Sequence, residues 1–180
     1  HDFSDNLIGG VAGAEGWAIG GSGSAEICVP CHTPHNSLNT VPPLWNHSAS
    51  GAAYTPTYGN PNGTMNAVVP DPLPATSGSL GCLSCHDGVG LLDAFGRDAA
   101  GVPNAGTAGF TIDGGAGYSP NVNLGTALTD THPVGFTWNA ADWTLVATTT
   151  AVPALGGDIA TTMLKGAGND QVECSSCHDV

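Results

Sequence analysis

Six cysteines are the residues best able to do chemistry, and they fall into three pairs with one spacing. In each pair two residues separate the cysteines, and a histidine directly follows the second cysteine. This C-x-x-C-H pattern is the attachment motif of c-type haem, in which two thiols add across the porphyrin vinyl groups and the adjacent imidazole binds the iron. The predicted covalent attachment residues are Cys28, Cys31, Cys82, Cys85, Cys174 and Cys177, and the predicted proximal iron ligands are His32, His86 and His178.

Other uses of paired cysteines explain the pattern less well. A tetrahedral zinc site normally joins two C-x-x-C half-sites, so three half-sites would leave one without a partner. A thioredoxin-like redox centre needs one C-x-x-C in a βαβ context, which this chain lacks. Structural disulfides do not require a histidine after every second cysteine. Because seven of the 180 residues are histidine, chance places one after a given cysteine at only about 4% of sites. The sequence therefore favours three covalent haems.

Each low-spin haem needs a second axial ligand, and four histidines lie outside the motifs. Met65 and Met163 are able to bind iron, but with enough imidazoles present we expect them to pack in the interior. His35 follows His32 by three residues, which is too close for it to reach the opposite face of the same haem. We expect it to bind a neighbouring, closely packed haem; the alternative is a hydrogen bond to a propionate. The four candidates are His1, His35, His47 and His132.

His132 lies in a context that suits a ligand. Pro133 favours an extended backbone at His132, and the Asp130 carboxylate is close enough in sequence to orient the ring. The alternative is an ordinary loop histidine. His1 and His47 are not ranked by spacing alone.

Charge excludes several classes of partner. Fifteen carboxylates face only two basic residues, Arg97 and Lys165, for a formal net charge of −13. Nucleic-acid binding and docking to an anionic membrane surface both need basic residues, so neither is expected. No apolar run approaches the roughly 18 residues of a membrane-spanning helix. We expect the carboxylates to be mostly solvated surface charges.

Composition predicts an unusual fold class. Glycine and proline, at 27 and 13 residues, have nearly twice their usual combined share of roughly 12%. At about 60 residues per haem, the chain is expected to wrap the macrocycles. We predict one domain over residues 1–180, mostly irregular coil with a few short α or 3₁₀ helices and little β structure. A short helix is expected through Leu91, Leu92 and Phe95, and a strand, a hairpin or a short helix from Asn139 is expected within residues 131–153.

The motifs, taken in order, resemble one family. The run from Glu26 to Asn36 is similar to the first haem segment of the OmcE-type multihaem cytochromes, which polymerise into extracellular nanowires in bacteria and archaea. The family's opening His-Asn/Asp-Leu/Phe-Ser, its Pro-Leu-Trp-Asn, its second and third haem segments and its His-Pro-Val-Gly-Phe stretch also have counterparts. These counterparts are residues 1–4, 43–46, 83–88, 172–179 and 132–136.

The resemblance implies a set of distal ligands. It assigns that role to His1, His35 and His132, which leaves His47 as a possible alternative distal ligand. Tetrahaem members continue past Cys-His-Asp with Pro-His and a fourth motif, whereas this sequence ends at Val180. The resemblance therefore predicts a trihaem version of the family.

The expected function is electron transfer rather than catalysis. The resemblance implies copies stacked end to end in an extracellular filament, with His1 as a ligand that reaches the neighbouring subunit. Redox proteins or extracellular acceptors would be the other partners. Haem attachment occurs outside the cytoplasm, so we expect a secreted chain whose signal peptide has been removed, with a periplasmic location as the alternative. A soluble periplasmic shuttle is the second hypothesis, and a haem reductase, which needs an open iron position, is the third.

Overall fold

The computed structural model describes residues 31–35, 37, 44–55, 72–91, 94, 122–128, 131–139 and 145–178. The predicted haem residues His1 and Cys28 lie outside these ranges, as do Leu92 and Phe95 of the helix expected after the second motif. The other predicted haem ligands and attachment residues are described.

The chain forms two compact units, and each is built from two separate segments. The first unit is His1–Ala52 with Gly81–Thr126, and the second is Ala53–Leu80 with Ala127–Val180. The single domain over 1–180 stays a prediction.

Helix α1, Ser79–His86, carries the second C-x-x-C-H motif. Leu83 is only 1% exposed, so this helix has one apolar anchor in its centre. The amide of Asp87 donates to the Leu83 carbonyl at 3.1 Å and extends the helical bonding to the residue after the histidine. Backbone bonding thus continues through the whole of the second motif.

The strands lie in the second unit and form two small antiparallel pairs. Strand β1, Phe136–Thr137, pairs with β4, Gln171–Val172, with Phe136 opposite Val172. Strands β2, Ala151–Val152, and β3, Gly157–Asp158, form a hairpin with Ala151 opposite Asp158. Strands β1 and β2 lie within residues 131–153, where a strand, a hairpin or a short helix from Asn139 is expected, but they do not pair with each other. Residues 140–144, where the alternative helix would continue, lie outside the described ranges.

Local side-chain bonds hold these short elements together. A 3₁₀ turn at Pro153–Leu155 closes the hairpin, and Gly156 follows it with φ of 73°, a left-handed conformation that favours glycine. Helix α2, Ile159–Thr162, begins with a capping box in which the Asp158 carboxylate accepts from the Thr161 amide at 2.9 Å. These caps compensate for the small number of backbone bonds in elements of two to four residues.

The described parts of the two units both bury polar side chains, and they differ in the number of hydrophobic ones. In the second unit the buried hydrophobic residues are Tyr54, Leu73, Leu128, Val134, Phe136, Ile159 and Leu164. In the described part of the first unit they are Leu83 and Ala94, whereas Asn46, His47, Ser84 and Asp87 are buried polar residues. The described part of the first unit therefore has little apolar core of its own.

No described helix is long and apolar enough to cross a membrane. The expectation of a chain that wraps its cofactors stays a prediction, although the described elements are short and separated by irregular segments.

Candidate functional site

The second motif is positioned by helix α1. Cys82 and Cys85 are three residues apart on this helix, so both thiols lie on the same side of it, and His86 is its last residue. The Ser84 hydroxyl donates back to the Gly81 carbonyl at 2.7 Å and is almost fully buried. The helix thus places two thiols and one imidazole within two turns.

A backbone carbonyl sets the tautomer of His86. The ring Nδ1 lies 2.8 Å from the Val122 carbonyl oxygen, which can only accept, so Nδ1 carries the proton and Nε2 the lone pair. The Leu124 amide also donates to the His86 carbonyl at 2.8 Å. A partner of this kind on the second nitrogen is what orients metal-binding histidines in proteins.

A tight turn follows the second motif. Asp87 is 1% exposed, and its Oδ1 accepts from the amides of Val89 at 2.9 Å and Gly90 at 2.6 Å. A side chain at Gly90 would meet the Ser84 carbonyl oxygen, so the turn requires glycine there. Asp87 is an exception to the expectation of mostly solvated carboxylates, because its side chain accepts hydrogen bonds inside the turn.

Thiols of the first and second motifs lie near each other in the first unit. Burial raises the pKa of Cys85 to about 12; the nearby Cys31 thiol and, to a smaller degree, Asp87 add to the rise, and a hydrogen bond with Ser84 opposes it. At neutral pH Cys85 is therefore a thiol rather than a thiolate. Cys31 and Cys85 belong to the same compact unit.

The first motif pairs with a later segment through its backbone. The Asn46 amide donates to the Cys31 carbonyl at 2.8 Å, and the Thr33 amide donates to the Leu44 carbonyl at 2.9 Å. The His32 ring meets the Trp45 ring edge to face, with centroids 5.9 Å apart and planes at 87°. Residues 44–46 of the Pro-Leu-Trp-Asn stretch thus lie against the first motif.

His35 and His47 occupy different environments. His35 is exposed, and its carbonyl accepts from the Thr33 hydroxyl at 2.9 Å. His47 is fully buried, with Nδ1 2.9 Å from the Ser48 carbonyl. Both lie in the first unit. An exposed imidazole is accessible to a bulky prosthetic group, whereas a buried one already contributes to packing, which favours His35 over His47 as a ligand.

The third motif begins with a 3₁₀ helix, Cys174–Ser176. The amides of Cys177 and His178 both donate to the Cys174 carbonyl, at 3.2 and 3.0 Å. This tight backbone turn keeps the two cysteines and the histidine close together, and Cys177 and His178 are exposed.

His132 and His178 form a pair in the second unit. Their ring centroids are 6.0 Å apart, and their planes are inclined by only 20°. Imidazole nitrogens bind metals at about 2 Å, so two imidazoles on opposite sides of one iron have ring centres about 6 Å apart. The observed separation fits two imidazoles that would bind one iron from opposite sides.

No protein-family model matches this chain. No curated protein matches it significantly either.

The donor set at the third motif fits a c-type haem. Two thiols from Cys174 and Cys177 and two imidazoles from His132 and His178 are the groups that such a haem requires. Across the described ranges, no group of three or more His, Cys, Asp or Glu side chains is arranged to hold a bare metal ion.

Sequence reasoning missed the carboxylate that precedes the third motif. Glu173 is 5% exposed and is bonded to Ser77 and Ser79, which are themselves buried. Like Asp87, Glu173 is an exception to the expectation of mostly solvated carboxylates. Both residues directly flank a motif, which is the only signal in the sequence that could have singled them out.

Proposed function

We propose that this chain is an electron-transfer protein, a trihaem c-type cytochrome that polymerises into an extracellular filament. The haem irons would supply one-electron redox chemistry, and the chain would attach them, ligate them and set their spacing. The observation that carries the proposal is the His132–His178 pair beside the third C-x-x-C-H motif.

The third motif supports bis-histidine ligation within one chain. His178 and His132 are far apart in sequence, yet their rings have the separation and near-parallel planes of two ligands on one iron. Six-coordinate, low-spin haem favours fast electron transfer, because both ligands stay bound in both redox states. We assign His178 as the proximal and His132 as the distal ligand of the third haem.

The first two motifs support close spacing between haems. Cys31 and Cys85 belong to the same compact unit, so macrocycles attached through them would be held by one unit. His35 belongs to the first motif's segment and is exposed, which suits ligation of the haem on the second motif, opposite His86. Close packing of this kind is what electron hopping requires.

The filament rests on the resemblance to the OmcE-type cytochromes. In this proposal His1 reaches the haem of a neighbouring subunit and joins the copies, with His47 as the alternative ligand. A net charge of −13, to which haem propionates add, opposes self-association. The contacts between subunits must therefore be neutral, deeply buried or bridged by cations.

Haem counting, spectroscopy and imaging of the purified secreted protein test the proposal. We expect three covalent haems per chain by mass spectrometry and pyridine haemochrome, three low-spin centres by electron paramagnetic resonance, and filaments by cryo-electron microscopy. Fewer than three haems would contradict the trihaem assignment.

Two other functions would give different results in the same experiments. Monodisperse particles with three low-spin haems would support a periplasmic shuttle instead of a filament. A high-spin haem in the native protein would support a reductase, because catalysis needs an open iron position. The ligands at hand, one distal histidine for each haem, favour conduction.

A further inference from the structure

Glu173 is a buried carboxylate directly before the third attachment motif. It is 5% exposed, and its Oε2 accepts from the Ser77 hydroxyl at 2.7 Å and the Ser79 amide at 3.0 Å. The Ser79 hydroxyl also donates to Oε2. These donors are 94 to 96 residues away in the chain, so the carboxylate joins two distant segments of the second unit.

The same cluster holds the first cysteine of the motif. The Cys174 amide donates to the Ser79 hydroxyl at 3.0 Å, and the Glu173 amide donates to the Ser176 hydroxyl at 2.9 Å. Ser79 is the first residue of helix α1 and is 0% exposed. The attachment segment is therefore tied to the beginning of α1 by both the side chain of Glu173 and the backbone of Cys174.

Hydrogen bonds compensate the cost of burying this carboxylate. Its Oε2 accepts from three neutral donors, and one of them is the amide of the first residue of α1, a position where a negative charge is favoured. A glutamine side chain could accept the same bonds through its amide oxygen without carrying a charge. The glutamine variant therefore separates the effect of the charge from the effect of the hydrogen bonds.

We propose that Glu173 is a positioning residue that holds the third attachment segment on α1, and that its charge lowers the reduction potential of the third haem. The inference rests on the proposed function. A negative charge in a low-dielectric interior stabilises the more positive, oxidised iron, and burial protects that effect from screening. The serine donors hold the carboxylate at one position relative to Cys174, so the shift acts mainly on one haem.

Three variants of the haem-loaded protein separate charge from packing. Glu173→Gln removes the charge and keeps the shape, Ser79→Ala keeps the charge and removes a hydroxyl, and Asp158→Asn removes an exposed carboxylate as the control. Potentials are measured by spectroelectrochemical titration, haem content by pyridine haemochrome, and protection of the Cys174 amide by hydrogen exchange.

We expect Glu173→Gln to raise the potential of one haem and leave the other two unchanged. Ser79→Ala should speed exchange of the Cys174 amide at least tenfold without raising that potential, because the charge remains. Asp158→Asn should change neither the haem potentials nor the exchange of the Cys174 amide.

Several results would overturn the inference. Unchanged potentials in Glu173→Gln would remove the role of the charge, and a rise of the same size in Ser79→Ala would assign the effect to packing. Equal shifts in Asp158→Asn would show a general charge effect. Covalent haem absent from the wild-type protein would refute the proposed function as well, whereas a loaded wild type with unshifted variants would refute this inference alone.

Discussion

At the scale of single residues, the informative positions are those where an imidazole or a carboxylate has one specific partner. The Val122 carbonyl holds the proton on Nδ1 of His86, and His132 lies 6.0 Å, centroid to centroid, from His178. The buried carboxylate of Asp87 accepts backbone hydrogen bonds just after the second motif, and that of Glu173 does so just before the third. The conformation of the motif segments therefore depends on residues outside the motifs as well as within them.

Replacing the proposed distal ligand should change one haem only. His132→Ala removes an axial imidazole, so we expect a high-spin signal from one of three haems in electron paramagnetic resonance. His132→Met should raise the potential of that haem, because a thioether favours ferrous iron more than imidazole does.

His47→Ala serves as the matched variant at the alternative ligand. We expect its three haems to stay low-spin, even if the loss of a buried ring reduces stability. A high-spin haem in His47→Ala together with three low-spin haems in His132→Ala would exchange the two assignments.

At the scale of elements, short helices and strands hold their form through caps and anchors. Helix α2 has four residues and begins at a capping box between Asp158 and Thr161. The pKa of Asp158 is lowered below its ordinary value of 3.8, first by the hydrogen bond from the Thr161 hydroxyl and then by that from the Thr161 amide. Both bonds favour the ionised carboxylate.

This cap should respond to acid in a defined direction. Because the folded-state pKa of Asp158 is lowered, the contribution of its carboxylate to stability is fully present above pH 3.8, its ordinary pKa. That contribution is lost as the pH falls through the lower, folded-state pKa. We expect hydrogen-exchange protection of the Thr161 amide to fall in acid in the wild type. In Asp158→Asn that protection should be weaker at neutral pH and change less with acid. The same acid dependence in both proteins would contradict the role of this carboxylate.

At the scale of the whole molecule, the three C-x-x-C-H motifs are divided unequally, with two in the first unit and one in the second. The described part of the second unit buries seven hydrophobic side chains and contains both strand pairs, whereas that of the first buries two. In the proposed function the first unit carries two of the three haems. We therefore expect it to depend on haem more strongly than the second unit.

Producing the chain without haem attachment tests this difference. Hydrogen exchange of the haem-free protein should show lost protection at the Asp87 amide, which donates to Leu83 in the first unit. The Lys165 and Gln171 amides, bonded to each other's carbonyls in the second unit, should keep more of theirs. The haem-loaded protein, measured alongside, is the control. Equal protection of Asp87 with and without haem would contradict a structural role for the cofactor.

The three C-x-x-C-H motifs can be recognised without a structure, because each one lies within five consecutive residues. The sequence also predicted short elements, since glycine and proline interrupt every long apolar run. Local spacing carries such information because a single helical turn is enough to bring the thiols and the imidazole together.

Only the tertiary structure decided which distant residues meet. The pairing of His132 with His178, the effect of Cys31 on Cys85 and the burial of Glu173 against Ser79 join residues well separated in the chain. No local pattern encodes these contacts, because each depends on how the intervening segments fold. Glu173 is buried because the fold brings Ser77 and Ser79 against its carboxylate.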